Sequence, residues 1–532
     1  MANFSRFLVV LLVWCGSAWA QVDPPARVGR LALVENGVDF RVDRSSPGEP
    51  ASINWPITSG AMLDTERRGR AEVWIGSTAF RLAGNSSLEF AEVSDRRLVA
   101  SLERGTLAVS VLEPDQAGDI VLETPDGRIG LRAAGRYRVE VREAGSALIV
   151  QAGRAVVDGR AGRSVVEAGQ RLDLADPSAL PQAAVLAADG FDRWVADREN
   201  LAASASAARY VSPQMTGYQD LALYGDWRTE PSYGAIWYPR AIAADWAPYR
   251  YGRWVWVAPW GWTWIDLAPW GFAPFHYGRW LLLHGRWAWV PGRYVAHPVY
   301  APALVAWVGN PGWSVSFSFG AAPAVGWFPL APREVYVPAF RATPVYVQRI
   351  NSGHFRDVHA VDRALRAKSP AYAYRQQPRA VTVVPASRWR EARPISAADL
   401  LRTDRRTLER APTARPAPDP AVAAPPVRPG ERHRSPSRSD ERPGVAQPAT
   451  AWPDRGRRDS APEKAVPNRD SPTRPEASPP GSRHLPDRRP VVAPEPAARS
   501  EAPARALHRE APPVVAPESG HRDRTFEMRR ER

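Results

Sequence analysis

The chain has 532 residues, 54 prolines, 22 tryptophans, one cysteine and a formal net charge of +14. This length allows for about two or three domains. A single cysteine excludes an internal disulfide framework and a thiolate metal cluster, so packing alone must hold the fold.

At the N-terminus Arg6 precedes an apolar run, Phe7 to Val13, and Ala18-Trp19-Ala20 supplies small residues before Gln21. This pattern predicts a secretory signal peptide over residues 1–20. The run is too short to span a membrane. Cys15, the only cysteine, lies inside the predicted signal peptide. No later stretch is apolar enough for a transmembrane helix. The expectation is an exported protein of the periplasm or outer envelope, with no thiol in its mature form.

Residues 27–185 read as short strands, among them Arg70 to Ile75, Thr106 to Val111 and Tyr137 to Val141. Gly and Asp punctuate them at the spacing of an all-β domain. Arg138, Glu140 and Arg142 alternate with Val139 and Val141, which predicts one wet and one buried face. Residues 186–209 predict a helical linker. Phe191, Trp194, Val195 and Arg198 share a helical spacing there, and Asp189 is placed to cap the start.

Residues 210–400 hold most of the tryptophans. Ala247-Pro248-Tyr249-Arg250-Tyr251-Gly252-Arg253-Trp254 is repeated as Ala273-Pro274-Phe275-His276-Tyr277-Gly278-Arg279-Trp280. Trp254/Trp256 and Trp262/Trp264 alternate along strands, and Pro259-Trp260-Gly261 and His284-Gly285 mark turns. Each copy therefore predicts a β-hairpin. A lone hairpin is marginal, so the copies are expected to pair or stack in one sheet or barrel. The alternating indoles belong to the core. Trp260, Trp270 and Trp313 stand beside Gly or Pro and are the indoles expected at the surface, where a ligand or partner would stack on them. Their alternative is to close over the end of the sheet. Arg253 and Arg279 precede the repeated tryptophan, placed for cation–π contact, with anion binding as the second possibility.

Residues 401–532 change composition to Pro, Ala, Arg, Ser and acids. They hold 27 Lys+Arg against 19 Asp+Glu, and residues 341–400 hold 11 against 4, so the rest of the chain is near neutral. Such a segment buries too little apolar surface to offset chain entropy and predicts a disordered Pro/Arg-rich tail. Interspersed acids weaken its field, and export argues against a nucleic-acid partner.

Catalytic signatures are lacking. His276, His284 and His297 match no metal spacing. Asp226, Glu230, Asp245 and Asp266 carry no mark of a glycosidase pair. There is no nucleophile elbow, phosphate loop or dinucleotide fingerprint. No cofactor or metal is expected.

Two resemblances add to this reading. Gly76 to Leu82, Leu102 to Leu107, Glu123 to Gly127, Gly135 to Val139 and Val166 to Gln170 resemble the FecR domain of exported bacterial proteins. That resemblance implies a β domain of short repeated strands. In its best-known relatives it is the periplasmic half of a regulator that hears an outer-membrane receptor and controls a sigma factor. Gly225-Asp226-Trp227, Trp260 to Trp264, His276 to Trp280, Trp289 to Gly292 and Gly326 to Leu330 resemble an uncharacterised Trp-rich family that commonly follows a FecR domain. It implies architecture and export, and no activity.

The sequence thus predicts a mainly β chain: a FecR-like β domain, a Trp-rich β-hairpin repeat domain and a disordered tail. The leading functional reading is a non-catalytic envelope binding or scaffold protein. Its partner would be an envelope protein or a glycan such as peptidoglycan. The alternative is a FecR-like signalling component acting through a separate membrane partner, and the third is a glycan-acting enzyme.

Overall fold

The strand Leu98–Val111 organises the first module of the computed structural model, which describes residues 23–414 apart from 185–187, 204–205, 309–316, 320–321, 356 and 368–370. The first half of that strand pairs with Ser87–Val93, and its second half pairs with Thr78–Leu82 and Gly135–Arg142. One strand therefore serves both layers of a seventeen-stranded structure running from Gly29–Glu35 to Gln182–Ala183. Gly105 marks the changeover at φ +93°, where an added Cβ would lie 2.3 Å from Ser86 Oγ. Only glycine fits that position.

Each half of the module follows one plan. The hairpin Arg70–Ile75/Thr78–Leu82 is nested inside the pair Met62–Thr65/Ser87–Val93. The hairpin Gly135–Arg142/Gly145–Ala152 is nested inside Gly127–Leu131/Arg154–Gly159. Val73, Phe80, Leu107, Val139 and Leu148 from one layer join Leu63, Leu88, Leu102, Ile129 and Val157 from the other in the core.

The helix Gly190–Ala203 lies on the outside of this module. Asp189 caps it, its Oδ1 accepting from the N–H groups of Phe191 and Asp192 at 2.8 Å. Phe191 and Val195 pack against Ala108. The expectation that Arg138 and Glu140 form a wet face is overturned, because both are buried beneath this helix. Arg138 bonds Asp189 at 2.9 Å and Asp192 at 2.8 Å, which satisfies a charge that alternation alone would place in water.

Both Tyr-Gly-Arg-Trp copies are hairpins: Gly252–Val257/Gly261–Asp266 and Arg279–Leu283/Arg286–Val290. They do not share a sheet. The first stands alone, with one edge occupied by Pro302, whose carbonyl accepts from Trp264 N–H, and another bond running from Ile395 N–H to the Gly252 carbonyl. The second joins Gly225–Glu230/Gly234–Pro239 through the single register Trp237↔Trp289. A third sheet contains Phe317–Phe319, Ala322–Pro329, Val305–Val308, Thr382–Pro385 and Thr413–Ala414. The last of these strands, with the helix Arg405–Arg410 before it, lies beyond the change in composition near residue 400.

Rings rather than ladders join the three sheets. Trp254 lies 4.7 Å from Trp307, 5.3 Å from Trp264 and 5.5 Å from Trp327, centroid to centroid. Each hairpin also makes room for an indole at a glycine. A Cβ on Gly252 would lie 2.4 Å from Trp264, one on Gly278 2.5 Å from Trp289, and one on Gly225 2.1 Å from Trp237. The glycine of the repeated unit is thus a seat for the opposing tryptophan. Indole N–H groups then reach backbone carbonyls: Trp237 to Leu221, Trp289 to Tyr277 and Trp327 to Tyr249, at 2.7–2.8 Å.

The two β modules share one hydrophobic cluster. Arg30 of the first strand is buried, pairs with Asp220, and donates to Asn54 Oδ1 at 2.9 Å. Asn54 in turn donates to the carbonyls of Asp266 and Ala268 at 2.8 and 2.7 Å. Arg253 donates to Ser52 Oγ at 2.7 Å and lies 5.0 Å over the Trp55 ring. Among the described residues no helix is long and apolar enough to cross a membrane.

Candidate functional site

The surface position expected for Trp260 and Trp270 is not what forms: they are 3% and 4% exposed. Trp260 meets Tyr300 edge-on at 5.4 Å. Trp270 is enclosed by Trp237, Trp246 and Phe275 at 5.1–5.8 Å. Turns of this module fold under neighbouring segments, so a position beside Gly or Pro brings an indole inward. Trp313 lies outside the described residues. Among the described residues the exposed indole is Trp256, at 50%, which stands at the tip of the first hairpin, perpendicular to Trp262 at 5.6 Å.

Arg253 makes the anticipated cation–π contact, with its ring partner in the first module. Arg279 lies over no ring in the described contacts. It is 1% exposed and donates to Asn351 Oδ1 at 2.8 Å and to the Glu334 and Gly278 carbonyls at 3.0 and 2.7 Å. Burial lowers its guanidinium to about 10. It is held too deep to receive an external anion.

His276, repeat counterpart of Arg250, is buried with Nδ1 2.8 Å from the Ala301 carbonyl, and desolvation lowers it to about 3. Its imidazole is neutral. It borders a cavity of about 40 Å³ shared with Arg279 and His354, room for little beyond water. Among the described residues no group of three His, Cys, Asp or Glu side chains is placed to hold a metal ion.

The four carboxylates are engaged separately. Asp226 accepts from Arg240 at 2.6 Å. Glu230 accepts from Ser232 N–H at 3.4 Å. Asp245 accepts from the Tyr251 hydroxyl. Asp266, fully buried, accepts from Trp264 Nε1 at 3.0 Å and Ala268 N–H at 2.9 Å, and desolvation raises it to about 7.

The feature that sequence reading missed is a surface groove. One part, about 930 Å³, lies between the 239–246 loop, the Gly285–Trp287 turn and Pro378-Arg379. A second part, about 540 Å³, continues toward Ala397 and Leu400 to Thr403. Both parts are lined by Asp245, Arg250 and Pro378. Arg240, Arg250, Arg286, Arg379 and Arg402 line it, against Asp226 and Asp245. Arg250 is buried yet bonds no carboxylate. It donates to the Asp245 carbonyl, to the Arg379 and Val381 carbonyls at 2.9 and 3.2 Å, and to Thr382 Oγ1 at 3.4 Å. Desolvation lowers its guanidinium. Half-buried Trp246 is fixed at one wall by Trp270 and Trp280 at 5.7 and 5.4 Å. A sequence signal did exist: position 250 is arginine where the other copy has histidine.

The profile of a family of unknown function (DUF6600) matches residues 218–334. That stretch includes both hairpin copies and the strands Val305–Val308 and Ala322–Pro329, but not Thr382–Pro385 or Thr413–Ala414. No curated protein matches the chain. Two crystal structures of a candidate anti-sigma factor from Parabacteroides distasonis ATCC 8503 are similar to it at 11% and 12% identity. Their TM-scores are 0.20 and 0.21, over 23% of this chain and 59% of that one. The chain thus spans about three fifths of the length of these structures.

Proposed function

We propose that this protein is an exported, non-catalytic binding or scaffold module of the bacterial envelope, with a glycan or envelope protein as its partner. The observation that carries the reading is the open arginine–tryptophan groove. It offers charge, a fixed aromatic wall and length, while the two aspartates that line it are tied into structural contacts. An open cleft with convergent polar groups is the default place to look for a ligand. Export rests on the signal pattern of residues 1–20. The experiment is a pull-down with the full mature chain from envelope extract, against isolated peptidoglycan and solubilised membrane proteins at moderate salt. Retention of either supports the reading; retention of neither rejects it.

A second reading draws on the FecR resemblance, whose residues Gly76 to Leu82 and Gly135 to Val139 fall in the two nested hairpins of the first module. In that case the chain is a periplasmic signalling component working through a separate membrane protein. Co-purification of a membrane protein bearing a sigma-binding segment favours it over the scaffold.

A further inference from the structure

We infer that the groove binds an extended polysaccharide bearing carboxylates. The inference deepens the binding reading above by assigning it a site and a ligand class, and it rests on that reading.

The first argument is charge. Five arginines face two aspartates across the two connected parts of the groove. One aspartate is consumed by Arg240, and the other accepts a phenolic O–H. Arg379 and Arg402 are exposed, and Arg286 lies 4.7 Å over the Tyr238 ring. Beneath them Arg250 is held by carbonyls and a hydroxyl, so no buried carboxylate cancels its field. The groove therefore presents uncompensated guanidinium charge to an anion. Planar guanidinium forks pair best with planar carboxylates or with phosphates.

The second argument is shape. The two parts are contiguous and open to solvent, and together exceed what a small metabolite fills. They suit a chain that passes through. The third argument is the wall. Of the large apolar residues that line it, Ile242 is 36% exposed, and Trp246, Leu282, Leu400 and Leu401 are only partly exposed. A protein partner anchors large aromatic or apolar side chains in deep, fully desolvated pockets, whereas here the partly exposed apolar residues lie in an open groove among five arginines. A sugar ring stacks on the face of a single fixed aromatic ring, and half-buried Trp246 is the ring held at this wall.

The test uses the full mature chain and four immobilised polymers: polygalacturonate, phosphorylated dextran, neutral dextran and poly-glutamate. Two double variants are compared, Arg379→Ala/Arg402→Ala in the groove and Arg96→Ala/Arg163→Ala on the first module. Both remove two exposed positive charges, so the basic tail contributes equally to each. We expect polygalacturonate to be retained, with affinity about fivefold weaker in the groove variant and nearly unchanged in the other. Neutral dextran is not retained. Equal weakening in both variants overturns the groove, because net charge or the tail then carries the binding. Equal or tighter retention of phosphorylated dextran or poly-glutamate overturns the ligand class. Failure to retain polygalacturonate overturns the proposal outright. Should envelope material be retained equally by both variants in the pull-down, the binding reading stands and this site falls.

Discussion

The two β modules both build a core without a disulfide, but they bury charge in different ways. In the first, charges are buried as networks. Glu72 lies between Arg81 and Arg198, each at 2.7 Å, and Arg138 holds Glu140, Asp189 and Asp192 at 2.8–2.9 Å. These networks lie under the helix Gly190–Ala203 and fasten it to the sheet. In the Trp-rich module Asp399 is paired with Arg388, but the charges at the centre of the ring packing stand apart. Arg279 is answered by carbonyls and an amide oxygen, and Asp266 by two N–H groups. Neutralised charge keeps its ordinary form when buried; isolated charge is pushed toward neutrality. The difference teaches that one module is fastened electrostatically and the other by ring packing and backbone-directed hydrogen bonds.

The sharpest way to break this contrast is at Glu72. Arginine pairing holds its carboxyl below the usual range despite burial. Glu72→Ala leaves two guanidinium groups without their shared partner, and stability should fall by about 5 kcal/mol. Urea unfolding would measure the loss. Hydrogen exchange should rise first in Gly190–Ala203, since Arg198 is the residue of that helix held by Glu72. Trp254→Ala is the matching test in the other module. It removes a ring that touches three other indoles, and the expected cost is about 4 kcal/mol. Exchange should then rise in Val305–Val308 and Ala322–Pro329, whose Trp307 and Trp327 lose their neighbour.

Much of this contrast was legible in the residues, and the failures have physical causes. Val139 and Val141 announced an inward face, and the repeated Tyr-Gly-Arg-Trp unit announced two hairpins. Period-two alternation tells which side chains share a face; it does not tell what later lands on the other one. Alternation assigns Arg138 and Glu140 to water because the covering helix comes some fifty residues later. The copies diverge for a similar reason. Arg253 meets Trp55 of the first module while its counterpart Arg279 meets Asn351, so equivalent residues acquire neighbours that the repeat does not encode. The groove was hidden because its arginines come from well-separated stretches of chain.

The isolated charge of the Trp-rich module gives a pH signature. Burial raises Asp266 from 3.8 to about 7. The folded state therefore holds a proton that the unfolded chain has released. Its contribution is complete below 3.8 and is lost as pH rises to about 7. Asp266→Asn cannot titrate. It forfeits one of the two accepted hydrogen bonds, so at pH 4 it should be slightly the less stable protein. Relative to wild type it should gain about 3 kcal/mol between pH 4 and 7. His276, lowered to about 3, contributes the opposite slope between its ordinary 6.5 and 3. It does so in both proteins and drops out of the difference. Denaturant midpoints across this range would measure it; a pH-independent difference would place a cation beside Asp266 and dissolve the contrast. At the boundary between modules the expected effect is smaller. Arg253→Ala removes the cation–π contact with Trp55 and the bond to Ser52, and should cost about 1 kcal/mol in thermal unfolding.

An equally small effect separates two tryptophans of one strand. Trp254 and Trp256 point to the same side of Gly252–Val257, and alternation makes them equivalent. The first is enclosed by Trp264, Trp307 and Trp327, while the second has one perpendicular neighbour, Trp262. Half of Trp256 is in water, so folding removes only about half of its surface from solvent. Trp256→Ser should therefore cost about 1 kcal/mol, against about 4 for Trp254→Ala. A loss near 4 kcal/mol in denaturant would mean that the tip of the hairpin is covered in solution. A loss of only about 1 kcal/mol, with envelope retention reduced in the same variant, would make this indole a second contact point outside the arginine groove.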